Sequence, residues 1–362
     1  MMKLSDVCTK GTSNIAQKDL DARNGTYPIY GASGFIKNVD FYHQEKPYIA
    51  IVKDGAGVGR VMQLPAKSSV IGTMQYIIAN EGVSVEYLAY ALEHMNLSKY
   101  YLGAAIPHIY FKDYCSETLP NHTPEEQAHI SHALGLVSNL IFLRKQQLSK
   151  LDELVKSRFI EMFGDPIYNE KRWLTDSVEN VCSDIYGGGT PSKAHLEYYE
   201  NGDIPWVSSK DMKSSILYDS QIRINQLGVD NSTAKIVPIN SVIMVIRSGI
   251  LKHTLPVAIN AVPITVNQDL KVFVPSQRIT SLFLMYLFKM LEKDILSGVR
   301  AVTADNIEFN SLKERMIIVP PIDLQLEFVT FVEQTDKSKF EIQKSLEKLE
   351  ILKKSLMQQY FG

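Results

Sequence analysis

Residues 148–164 read LSKLDELVKSRFIEMFG, and residues 346–362 read LEKLEILKKSLMQQYFG. Laid over each other at an offset of 198 (346 against 148), the two stretches agree at 8 of 17 positions. The shared pairs are Leu148/Leu346, Lys150/Lys348, Leu151/Leu349, Leu154/Leu352, Lys156/Lys354, Ser157/Ser355, Phe163/Phe361 and Gly164/Gly362. Two unrelated amphipathic helices would share leucines through their common period, but hardly a terminal Phe-Gly as well. The chain is therefore written twice. A repeat this long marks duplicated domains rather than a solenoid, whose unit is about 20–50 residues.

Working outward, the same offset joins Gln127 in TPEEQ to Gln325 in PIDLQ, each opening a helix behind a proline-containing turn. Further upstream the order still holds. LSDVC (Leu4–Cys8) resembles VENVC (Val178–Cys182), and YIAIVKDGAGVGRV from Tyr48 resembles SVIMVIRSGILKHTLPV from Ser241. Strand-like runs with Gln75 and Gln268 follow, then the helices Tyr87–Leu92 and Phe283–Phe288. Phe328, Thr335, Ile342, Leu349 and Leu356 recur every seven residues, thickened by Leu324, Phe331 and Leu352; Ile130, Val137, Leu148, Leu151, Val155 and Met162 make a looser stripe. Such spacing predicts two long helices with coiled-coil seams, each ended by a Gly suited to the position after a helix. The plainer alternative packs each helix on its own domain. The expected fold is α+β: similar globular domains at 1–123 and 165–322, separated by antiparallel helices at 124–164 and 323–362. Ile49–Val52 and Val242–Ile246 read as buried strands.

Composition is that of a packed soluble protein, 45% apolar and 22% charged over 362 residues, with a net charge of −2. Acidic and basic groups nearly balance in all four segments, so no basic footprint announces nucleic acid. The start of the chain lacks an apolar leader, and no window reaches the roughly 18 apolar residues of a membrane span. Cys8, Cys115 and Cys182 show no metal-type spacing, which fits a reduced cytoplasm. His129 and His132 lie three apart without a third ligand and are read as exposed or partner-facing rather than metal-binding.

One stretch is chemically dense: GGGTPSKAHLEYYENGDIPWVSSKDM, residues 187–212. Its glycines would let backbone amides approach a phosphate. Thr190, Ser192, Lys193, Ser208, Ser209, Lys210 and Asp211 are groups that reach phosphates and base edges. The plainer reading is a loop and a strand with Trp206 in the core. Gly55-Ala56-Gly57-Val58-Gly59-Arg60 is followed by Val61 and Pro65 with no helix, so it is a turn between strands rather than a dinucleotide loop. Lys53 and Arg60 beside it, and Arg247 and Lys252 at its counterpart, are the cations placed to meet DNA. Asp269-Leu270-Lys271 reads as a surface pair.

The run Gly188-Gly189-Thr190-Pro191-Ser192, then Tyr198-Tyr199, Asn201-Gly202-Asp203-Ile204-Pro205-Trp206-Val207-Ser208 and Lys210-Asp211, resembles the target-recognition signature of Type I restriction-modification specificity subunits. Gly25–Gly34 is a looser form of it, without the Gly-Gly-Thr-Pro and Pro-Trp elements, and the repeated helices resemble that family's central repeats. The resemblance implies a non-catalytic subunit that reads a bipartite, asymmetric double-stranded DNA target. It implies two methyltransferase (M) subunits on the helices, carrying S-adenosylmethionine and methylating adenine, with restriction-translocase (R) subunits joining them. No cofactor or metal is expected on this chain. A helix of about 36 residues spans roughly 54 Å, more than the 34–36 Å of one duplex turn, so an unread gap is expected between the half-sites. No methyltransferase motif for a flipped adenine and no P-loop is present, which argues against an enzyme. The remaining alternative is a coiled-coil DNA-binding adaptor or repressor that serves no methyltransferase.

Overall fold

The computed structural model describes residues 1–101, 107–298, 300–301 and 305–362. The chain divides into two compact units, Met1–Gln147 with Ile342–Gly362, and Leu148–Glu341. Four helices organise them: α1 (Val85–His94), α2 (Pro124–Phe163), α3 (Ser281–Met290) and α4 (Ile322–Phe361). The two 40-residue helices fall within one residue of the bounds expected from sequence. Thr123 and Glu126 start α2 with reciprocal bonds, Thr123 N–H to Glu126 Oε2 at 2.8 Å and Glu126 N–H to Thr123 Oγ1 at 3.3 Å, the capping box of a T-x-x-E sequence. At the other end, Gly164 takes φ +76°, and the indole N–H of Trp173 donates to the Phe163 carbonyl at 2.8 Å.

Unit 1 holds a four-stranded antiparallel sheet. Its strands are β1 (Cys8–Thr12), β4 (Tyr48–Val52), β5 (Val61–Leu64) and β7 (Met74–Ala79), in the order β1-β7-β4-β5. Beside it lies a three-stranded sheet, β3-β2-β6, made of β2 (Tyr27–Gly31), β3 (Gly34–Val39) and β6 (Ser69–Val70), in which β2 and β6 are parallel. Unit 2 repeats both. β8 (Cys182–Gly187), β15 (Leu270–Pro275), β12 (Val242–Val245) and β13 (Val257–Asn260) follow in the same order, extended by β10 (Ile216–Leu217). Its small sheet is β11-β9-β14, built from β11 (Arg223–Ile224), β9 (Ile204–Val207) and β14 (Thr265–Val266), again with one parallel pair. The all-buried runs YIAIV and VIMV are the central strands, packed on both faces, which is why they lack the alternation of a half-exposed strand.

Each unit takes part of both long helices, unit 1 the start of α2 and the end of α4, unit 2 the end of α2 and the start of α4. Within unit 1, Ile130 and Leu134 of α2 share a core with Met357 and Phe361 of α4, and Lys145 meets Glu350 at 3.0 Å. Numbers rise along one helix as they fall along the other, so the pair is antiparallel. Within unit 2, Val155, Phe159 and Phe163 of α2 pack with Phe328 and Val332 of α4, and Arg158 meets Glu327 at 2.8 Å. Each unit thus buries the start of one long helix and the end of the other, and the terminal Phe of each repeat is a core residue. Leu356 packs against the unit 1 core, and Ile342 and Leu349 are half-buried. Leu352 is 45% exposed, and its repeat partner Leu154 is 47% exposed. Lys353 beside it is half-buried and reaches Glu93 of α1 at 2.8 Å.

The repeated glutamine has a structural job. Gln325, fully buried, accepts from the Thr280 N–H at 2.9 Å and donates to the carbonyls of Arg278 (3.1 Å) and Pro320 (2.9 Å). Gln127 likewise accepts from Ser84 N–H at 2.9 Å and donates to His122 O at 3.0 Å. Ser84 and Thr280 are the N-caps of α1 and α3, so each glutamine ties a long helix to the shorter helix of its domain. Gln325→Ala leaves one buried and two part-buried groups unpaired, at about 1–3 kcal/mol for each that stays buried. A loss of about 3 kcal/mol from unit 2 is expected. Both tryptophans, Trp173 and Trp206, lie in unit 2, so tryptophan fluorescence during urea unfolding reads it directly.

Candidate nucleic-acid interface

The dense stretch of unit 2 is a loop anchored at several points. Trp206 sits in a small core with Ile224 and Ala234 and donates its indole N–H to Gly189 O at 2.9 Å; Tyr199 donates to Pro191 O at 2.7 Å. A Cβ on Gly188 would lie 1.9 Å from the Val266 carbonyl oxygen, and one on Gly189 would lie 2.3 Å from the Thr233 carbonyl carbon. Close packing of the domain's own backbone leaves no room for a side chain at either glycine. The anchoring leaves Thr190, Ser192 and Lys193 exposed, with the Thr190 hydroxyl bonded to Gln268.

After β9 the chain turns through Ser208–Asp211. Asp211 accepts from Ser208 N–H (2.8 Å), Ser208 Oγ (2.7 Å) and Gln221 N–H (2.9 Å), which fixes the loop. Lys210 stays exposed and Ser209 is half-buried. Asn267 joins this loop to the next, its N–H on Val207 O at 2.9 Å and its side chain on Asp269 at 3.0 Å. Arg247 closes on the same carboxylate, Nε to Oδ1 at 2.6 Å. Asp269-Leu270-Lys271 is accordingly not a plain surface pair: Asp269 belongs to the Arg247 cluster, and Lys271 lies 4.4 Å from the Phe309 ring, its pKa lowered by burial. Lys252 is exposed on the one-turn helix Gly249–Lys252.

Unit 1 carries the counterpart, and backbone register identifies it residue by residue. Ile29 and Tyr30 pair with Ser69 and Val70 as Trp206 and Val207 pair with Thr265 and Val266. Pro28-Ile29 therefore stands where unit 2 has Pro205-Trp206, behind Asn24-Gly25 in place of Asn201-Gly202. A Cβ would lie 2.2 Å from Val39 O at Gly25 and 2.7 Å from the Arg223 carbonyl carbon at Gly202, so both turns press against the neighbouring strand. Lys53 N–H and Asp54 N–H bond to Thr73 O as Ile246 N–H and Arg247 N–H bond to Asp269 O. Ile109 N–H bonds to Lys53 O as Ile307 N–H bonds to Ile246 O, and the bridges Asp54–His108 and Arg247–Asn306 match.

Lys53, Arg60 and Arg247 stand out in the sequence by their charge, whereas nothing there marks Asp54, His108, Asp269 and Asn306 as their partners. His108 Nδ1 closes on Asp54, Lys53 lies 3.9 Å from the same carboxylate, and exposed Arg60 donates to Ala32 O at 2.9 Å. Gly55, Gly57 and Gly59 form the tight turn at φ +83°, +89° and +83°. Asp54, Arg60, Ala32, Ser33 and Thr73 line a cleft of about 430 Å³. Among the described residues no group of three or more His, Cys, Asp or Glu could hold a metal. His129 and His132 are exposed, and among the described residues no helix is long and apolar enough to cross a membrane.

Each unit holds one copy of the same α+β domain, with exposed polar loops and an antiparallel pair of long-helix segments packed on it, which defines a duplicated two-domain protein. The family model described as the Type I restriction modification DNA specificity domain matches residues 1–153 and 170–353, and the chain belongs to that family. The Type I restriction enzyme EcoR124I/EcoR124II specificity subunit of Escherichia coli is 37% identical over 153 residues, 42% of this chain and 38% of that subunit. The Type I restriction enzyme MjaIX specificity subunit of Methanocaldococcus jannaschii is 25% identical over 303 residues, 78% of this chain and 69% of that one. The match therefore spans well under half of the first relative and about two thirds of the second. The fold is shared with a Type-I restriction-modification S subunit from M. genitalium at a TM-score of 0.63 and 14% identity, covering 100% of this chain and 95% of that one. A chain solved in work on assembly and conformational transition of a type I restriction-modification system aligns at a TM-score of 0.55 and 15% identity, covering 99% and 96%.

Proposed function

We propose that this chain reads a bipartite, asymmetric double-stranded DNA target for a Type I restriction-modification complex and performs no chemistry itself. The observation that carries the reading is the pair of structurally equivalent units whose loop chemistry differs, which suits two unlike half-sites. Two methyltransferase subunits supply S-adenosylmethionine and adenine methylation, restriction-translocase subunits join them, and the complex works in the cytoplasm. Near-neutral charge supports partners that supply much of the phosphate contact. The long helices support a pair of equivalent docking surfaces, for apolar groups recur in the open at the 198-residue offset: Phe142 (56% exposed) with Phe340 (58%), and Leu154 with Leu352. An adaptor or repressor that serves no methyltransferase is not favoured by the family match. The test is methyl transfer from S-adenosylmethionine to duplex DNA. Purified alone, the chain is expected to transfer nothing; with its separately purified methyltransferase, adenine methylation should appear at one bipartite sequence. Transfer by the chain alone would contradict the reading.

A further inference from the structure

The equivalent positions 54/247, 73/269 and 108/306 are occupied by Asp, Thr and His in unit 1 and by Arg, Asp and Asn in unit 2. In both units they converge where a central strand ends, and in unit 1 Asp54 and Thr73 open into the cleft beside Arg60. We propose that these are base-reading positions: Arg247 reads a guanine, and Asp54 reads an exocyclic amine in the major groove, cytosine N4 or adenine N6. The proposal rests on the DNA-reading function above and assigns it to particular atoms.

The chemistry follows from the donor and acceptor inventory. A guanidinium carries five N–H donors and forms a bidentate pair with guanine O6 and N7; an ionised carboxylate only accepts, and the base edges that donate in the major groove are the amines of cytosine and adenine. Asp269 clamps Arg247 through both Nε and Nη2, each 2.6 Å from Oδ1, and is itself held by Asn267 at 3.0 Å, which aims the guanidinium and leaves the Nη1 group and one Nη2 N–H for a base. Side-chain exposures of 47% for Arg247 and 25% for Asp269 leave the pair open to the groove. His108 plays the matching part for Asp54. Because opposite charges occupy the same backbone position, the units cannot read the same base there.

The test uses the full chain assembled with its methyltransferase in a host without other adenine methylation, the methylated sites being mapped by single-molecule sequencing. Arg247→Ala is expected to relax one guanine position of one half-site, with methylation of the original target falling about 10–100-fold relative to the relaxed set. Asp54→Asn should relax one position in the other half-site. Whether that position was adenine or cytosine tells N6 from N4. Unchanged sequence selectivity in both variants overturns the assignment. So does a uniform loss at every sequence, which marks a phosphate contact or a structural role; circular dichroism melting and tryptophan fluorescence then show which. If the unaltered complex methylates no bipartite site, the functional reading fails before the assignment is reached.

Discussion

Phe159→Ala is expected to cost unit 2 about 3–5 kcal/mol, the range for emptying a buried phenylalanine site. Phe159 is fully buried and holds three rings at once: Phe163 at 5.0 Å, Phe328 at 5.4 Å and Phe283 at 5.5 Å between centroids. Those rings come from α2, α4 and α3, so the substitution opens the point where both long helices enter the domain. With a urea slope of roughly 2 kcal/mol per molar, the tryptophan-fluorescence midpoint should fall by about 2 M. Leu154→Ala, nearby on α2 but 47% exposed, should move it by less than about 0.5 M. Equal shifts for the two would mean that the end of α2 is not part of the unit 2 core.

Inserting seven residues after Gln147 and seven after Glu341, where each long helix leaves one unit for the other, should lengthen the unread gap of the DNA target by about three base pairs. Seven helical residues add about 10.5 Å, and the duplex rises about 3.4 Å per base pair. Both helices must be lengthened because they run antiparallel in each unit; a single insertion would slide Ile130 and Leu134 past Met357 and Phe361. A heptad also rotates the apolar stripe by only about 20°. Methylome mapping should return the same two half-sites further apart. An unchanged gap in a folded, active variant would show that the methyltransferase subunits, not the helices, set the spacing.

The long helices were legible because their ends are chemically marked: Thr123-Pro124 and a proline turn at the starts, Phe-Gly at the finishes. The glutamines were legible as a motif but not as a device, because Gln325 acts on an N–H 45 residues away. The equivalence of Pro28-Ile29 and Pro205-Trp206 escaped because isoleucine replaces the eye-catching tryptophan; the shared Asn-Gly four residues before Pro28 and Pro205 was the usable signal. Glycine-rich sequence states that something approaches the backbone, not what, and at Gly188 and Gly189 it is the domain itself. Charge drew attention to Arg247 and away from Asp269 and Asp54, whose meaning comes from strand register. Heptad counting placed Leu352 in the seam; it flanks the seam and remains in the open.

If two independent units each read half of one target, exchanging one of them should alter one half-site alone. Residues 1–123 are replaced with the matching domain of another family member, and adenine methylation by the assembled complex is mapped. One half-site is expected to change while the other half-site and the gap stay as they were. A change in both halves, or in neither, would contradict independent reading.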